Sequence, residues 1–119
     1  MKDMIMKPKI WLIVLAVIHT LMGVIATYII VGNPDNLASI IQLGFISIYL
    51  LYVAFMTEGQ TQARLATVLC LPFIVWFIIS AMMKLNMFGV PVAEMPGVLM
   101  PLTLWGLPTI TGILNWNTD

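Results

Sequence analysis

Apolar runs and polar breaks alternate along this chain in a four-part pattern. Ile10–Val31 contains no Asp, Glu, Lys or Arg. As a helix rising 1.5 Å per residue it would span about 33 Å, enough to cross a hydrocarbon core of ~30 Å. The breakers Gly32-Asn33-Pro34-Asp35-Asn36 follow it and predict a tight turn. Leu37–Met56 is a second run, and Thr57–Arg64 reads as a hydrophilic loop. Leu65–Met83 is a third run with Pro72 inside it. Lys84–Gly97 mixes polar residues and breakers with Met87, Phe88, Val90, Val92 and Met95, which predicts a connection lying against the protein rather than reaching into water. Val98–Leu114 is a short fourth run, expected to be broken by Pro101 and Pro108, and Asn115–Asp119 is a polar tail. Each proline inside a run removes a backbone donor and is expected to kink its helix.

The pattern predicts an all-α membrane protein, an antiparallel four-helix transmembrane bundle. It forms a single membrane domain over residues 1–119, with spans at about 10–31, 37–56, 65–83 and 98–114.

Composition strengthens this reading. The chain is 61% hydrophobic and 8% charged, with a mean hydropathy of +1.05. An ordinary soluble domain is about a quarter charged, so these few charges could not cover a water-facing surface. The net charge is zero, and nothing in it would draw the chain to nucleic acid. The single cysteine, Cys70, excludes an internal disulfide, a Cys-x-x-Cys pair and a cysteine-based zinc site. Lys2, Lys7 and Lys9 ahead of the first run imitate a signal peptide. The run is too long for one and no small-x-small cleavage site follows, so an uncleaved first span is expected.

The basic residues also orient the chain. With both termini in the cytoplasm, Lys2, Lys7, Lys9 and Arg64 lie inside and only Lys84 lies outside. Trp11 and Trp116 then mark the same inner interface.

Candidate chemistry centres on His19, the one side chain of the first run that titrates near neutral pH. Counting residues as helical rise puts His19 about 14 Å from the inner boundary and Tyr49 at a similar depth. Thr109 falls near that level, and Gln42 is a further polar residue of the second run. Ala16 and Gly23 share a helical face with His19 and would let a neighbouring helix approach it. His19, Gln42, Tyr49 and Thr109 are therefore the candidate ligand-binding residues, with His19 and Tyr49 expected to share a polar site. The simpler reading is a structural histidine held by one hydrogen bond. Met83-x-x-x-Met87 would place two thioethers on one helical face, a geometry that suits Cu(I), although apolar filling accounts for methionine as well.

Trp11, His19-Thr20 and Gly23 in the first run, with Leu99-Met100-Pro101, Trp105 and Leu107-Pro108 in the fourth, resemble a family of small four-span bacterial inner-membrane proteins of unknown function. The resemblance implies four spans and a multi-pass protein of the bacterial cell inner membrane. It implies no activity.

The sequence holds no Ser-His-Asp set, phosphate-binding glycine loop or metal-spaced histidine pair. That points away from an enzyme, and neither a cofactor nor a metal is expected. The first functional reading is a small multi-pass membrane protein without a catalytic set, acting as an accessory or partner-binding subunit. Its expected partners are the lipid bilayer and either further copies of itself or a larger membrane complex. The alternatives are a homodimeric small-solute channel or carrier, or a lipid- or quinone-binding protein. Each would hold an apolar small-molecule ligand at the polar site around His19 and Tyr49.

Overall fold

The computed structural model describes residues 5–87, 89–92, 94 and 97–117. Lys2 of the basic tail, Phe88, Met95 and Pro96 of the mixed connection, and Asp119 lie outside them. The fold is all-α apart from one small hairpin, with four helices among the described residues. These are α1 (Pro8–Val31), α2 (Pro34–Met56), α3 (Gly59–Met83) and α4 (Leu99–Leu114). The first three are long and apolar enough to cross a membrane, while α4 is shorter.

α1 starts where Pro8 occupies the first helical position after an extended Lys7. A proline there loses nothing, because its missing N–H would have no partner in the helix. The Trp11 indole donates to Ile5 O at 2.6 Å and folds the preceding tail back onto this end. The middle of α1 is not α-helical: His19–Ile25 is a seven-residue π-helical segment in which the Ala26 N–H returns to Leu21 O. Thr20 Oγ1 donates to Ala16 O at 2.7 Å, and Gly23 lies in the same segment. A hydroxyl on a helix carbonyl and an interior glycine both loosen regular α-geometry.

Two expected breaks prove shorter than the sequence suggested. The turn after Val31 is not five residues long, because α2 already begins at Pro34. Asn33 caps it, its side-chain oxygen accepting from Asp35 N at 3.0 Å and Asn36 N at 3.2 Å. Pro34 and the acidic Asp35 complete a favourable helix start. Most of the hydrophilic stretch Thr57–Arg64 belongs to α3, leaving Thr57 and Glu58 as the connection. Gln62 explains this. Gln62 is 5% exposed, and the two hydrogens of its side-chain amide are shared among Val53 O (3.2 Å), Ala54 O (2.9 Å) and Thr57 O (3.0 Å), carbonyls at the end of α2 and in the connection after it. The residues read as a hydrophilic loop are in part an internal clasp.

α3 runs through Pro72 and α4 through Pro101 and Pro108 without a break in either helix. Pro101 lies in the first turn of α4, where a missing N–H costs nothing. The mixed connection carries a two-stranded antiparallel hairpin, β1 (Asn86–Met87) and β2 (Val90–Pro91), with Asn86 opposite Pro91 and Met87 opposite Val90. Gly89 in its turn takes φ +80°.

The core gathers one side of every helix: Leu12, Leu15 and Ala16 from α1, Leu50, Val53 and Ala54 from α2, Ala66 and Cys70 from α3, and Trp105 from α4. α3 and α4 approach most closely, across small residues. A β-carbon added to Gly112 would lie 2.6 Å from Ala63 O and would overlap Thr67 Oγ1. At one end of the molecule Asn115 Nδ2 donates to Met6 O (2.7 Å), and Arg64 Nε donates to Trp116 O (3.1 Å) with its guanidinium over the Trp116 ring. Lys9 lies over Phe55. The start of α1, the end of α2, the start of α3 and the end of α4 therefore meet at that end.

Candidate binding cleft

His19 is the first residue of the π-helical segment. Its Nε2 lies 2.8 Å from Leu43 O on α2. One residue on, Thr20 Oγ1 is hydrogen-bonded to Ser47 Oγ at 2.8 Å, so the two helices are latched at adjacent positions. Gly23 sits one turn further along, and the imidazole lies back over it. A β-carbon at position 23 would come within 3.0 Å of His19 Nδ1 and 3.2 Å of Cε1. The ring meets Trp105 of α4 edge to face, with centroids 5.6 Å apart and planes at 79°. Trp105 in turn stacks at a tilt on Phe73 of α3, with centroids 4.6 Å apart.

These rings form the floor of a cleft of about 470 Å³. Trp76 and Phe77 extend its aromatic wall, and Met22 and Met100 flank it. Met87, Pro91 and Val92 of the hairpin region close its upper edge, which explains why that connection is half apolar: it lies against the helices. The Val92 N–H donates to Leu85 O at 3.0 Å and helps to hold it there. A second hollow of about 540 Å³ lies among Lys7, Glu58, Gln60 and Asn115, where the starts of α1 and α3 meet the end of α4. It is polar and has no aromatic lining.

The structure does not bring the four candidate residues together. His19 lines the cleft; Gln42, Tyr49 and Thr109 do not. Tyr49 is 54% exposed. The reason is azimuth. Leu43 and Ser47 face α1, and Tyr49, two residues beyond Ser47, is rotated by about 200° on an α-helix and points outward. Gln42 is exposed on the same helix. Thr109 is buried and gives its hydroxyl to Trp105 O at 2.9 Å, a bond within its own helix. Met83 and Met87 do not share a helical face either, because α3 ends at Met83 and Met87 lies in β1. Among the described residues no group of three or more His, Cys, Asp or Glu could hold a metal.

Sequence reasoning gave no site role to Trp105, Phe73 or the hairpin. The readable signal was the His19–Gly23 spacing, which places a glycine where a ring can fold back along its own helix. Compared with known proteins, the chain matches no family model, no curated protein and no solved structure.

Proposed function

We propose that this chain spans a membrane as an antiparallel four-helix bundle and binds one apolar small molecule in the cleft beside His19. The cleft carries the reading. Its volume of about 470 Å³ falls within the ~300–1,000 Å³ of small-molecule sites, and it pairs an apolar wall with a few convergent polar groups, as such sites do.

The membrane part rests on three long apolar helices and on their outer faces. Ile29, Met56 and Met82 are each more than two-thirds exposed, which lipid accommodates and water penalises. The longest dimension is 45 Å, close to a bilayer of ~40–45 Å with its headgroups. α4, with 16 residues, reaches only ~24 Å; it is held by close packing on α3. Lys7, Lys9 and Arg64 cluster at the end where the start of α1 meets the end of α4, while Lys84 sits at the far end of α3. This supports a cytoplasmic placement of that end; the bacterial inner membrane is what the resemblance of the first and fourth runs implies. The protein then acts as a binder rather than a catalyst.

Purification in a mild detergent followed by native mass spectrometry and solvent extraction tests the reading. One apolar molecule per chain is expected, lost in Gly23→Leu, whose side chain grows into the cleft. Recovery of bulk phospholipid alone, in the proportions of the source membrane and equally in the variant, would overturn it.

A further inference from the structure

Two ring nitrogens set the polarity of the cleft. His19 Nε2 faces the Leu43 carbonyl at 2.8 Å. A carbonyl only accepts, so Nε2 carries the hydrogen, and in an uncharged imidazole the other nitrogen, Nδ1, is left as an acceptor. Nδ1 lies on the Gly23 side of the ring, where both residues line the cleft. It is the absence of a side chain at position 23 that leaves this nitrogen open.

Trp105 supplies the complement. It lines the same cleft, is only 4% exposed, and its indole N–H has no hydrogen-bond partner among the described residues. An indole N–H only donates. The two rings are neighbours, with centroids 5.6 Å apart, so an acceptor and a donor belong to adjacent side chains of a hollow whose lining is otherwise apolar apart from Thr27. A hydroxyl answers both, giving its hydrogen to Nδ1 and taking one from the indole. A ketone or ether oxygen could take only the indole hydrogen and would oppose its lone pairs to Nδ1.

The surroundings specify the group that bears the hydroxyl. Phe73, Trp76 and Phe77 present ring faces and edges, and Met22, Met87 and Met100 present thioethers. Aromatic rings and thioethers both pack favourably against a flat aromatic ring. Resting on the reading that the cleft holds a small apolar molecule, we propose that its ligand is a phenol-type amphiphile. The ring hydroxyl sits between His19 Nδ1 and the Trp105 indole N–H, and the apolar tail runs out along α1 towards Ile30 and Val31, which line the cleft further along.

The test titrates the intact protein, in phosphatidylcholine nanodiscs, with para-nonylphenol and with its methyl ether, para-nonylanisole. The two differ only in the hydroxyl hydrogen and a methyl group. The phenol should bind about tenfold more tightly, the worth of one hydrogen bond to a ring nitrogen. His19→Phe removes the acceptor and Gly23→Ala covers it. Each should shrink the preference to about twofold or less while the ether keeps its affinity. Equal wild-type affinity for the two probes would overturn the phenol assignment and leave apolar binding standing. A preference that survives in both variants would overturn the role of His19. Saturable binding of neither probe would overturn this inference and the reading beneath it together.

Discussion

The His19 imidazole lies directly over Gly23, with Nδ1 only 3.0 Å from where a β-carbon at that position would stand. The glycine and the histidine form one unit: the first supplies the space, and the second fills it while reaching Leu43 O across to α2. An alanine at 23 would gain about 1 kcal/mol of helix propensity, and the contact with His19 would offset it. Gly23→Ala should therefore unfold within about 1 kcal/mol of the wild type, while the ¹⁵N resonances of the His19 ring shift. A large loss of stability with unchanged ring resonances would mean that the glycine serves packing between helices and not the histidine.

Gly112 is a different case. A β-carbon there meets a backbone oxygen, Ala63 O at 2.6 Å, besides the hydroxyl of Thr67. Backbone cannot rotate away, so α3 and α4 must separate. Gly112→Ala should cost about 1–3 kcal/mol, the usual range for overpacking, read as an earlier unfolding midpoint in a denaturing-detergent titration. Unchanged stability would show that the two helices are not in contact at this level.

Gln62 closes the α2–α3 corner through three carbonyls of α2 and the connection. Gln62→Leu keeps the bulk and takes the amide donor from Ala54 O and Thr57 O, while Val53 O keeps the Thr57 hydroxyl. A loss of about 1–3 kcal/mol is expected in the same titration. Gln60, only partly buried on the first turn of the same helix, should tolerate the same substitution with little change.

Helix existence was legible because each helix coincides with an apolar run, and an apolar run is a property of sequence alone. What could not be read was rotation about the helix axis. Depth by residue count put Tyr49 beside His19, but the latch between Thr20 and Ser47 turns Tyr49 away. In a chain this apolar, outward-facing and buried positions carry the same residue types, so no hydrophobic stripe marks the inner face. The helix ends were more legible than the breakers suggested. Asn33-Pro34-Asp35 is a capping sequence as well as a turn sequence, and Gln62 looked solvent-facing only because its partners are backbone carbonyls, which a sequence does not display. Nothing in the order of residues marked the π-helical segment beyond Thr20 and Gly23 standing close together.

The proposed topology has its own check. Alkaline phosphatase fused after Asp119 should be inactive in a bacterial host, and the same enzyme inserted at Gly89 in the hairpin should be active, because it folds only outside the cytoplasm. The reverse pattern would invert the bundle. Activity at both sites would mean an odd number of crossings.

The most direct measurement of the central claim, a small apolar molecule held at His19 and Trp105, is photolabelling in phospholipid vesicles. The probe is an alkylphenol carrying a diazirine on its tail, and the labelled peptides are mapped by mass spectrometry. Saturable labelling is expected on the cleft wall around Thr27, Ile30 and Val31, where the tail runs, competed away by excess unlabelled phenol and abolished in Gly23→Leu. Diffuse labelling of outward residues such as Ile29 and Val68, unaffected by competitor or by the substitution, would contradict the account.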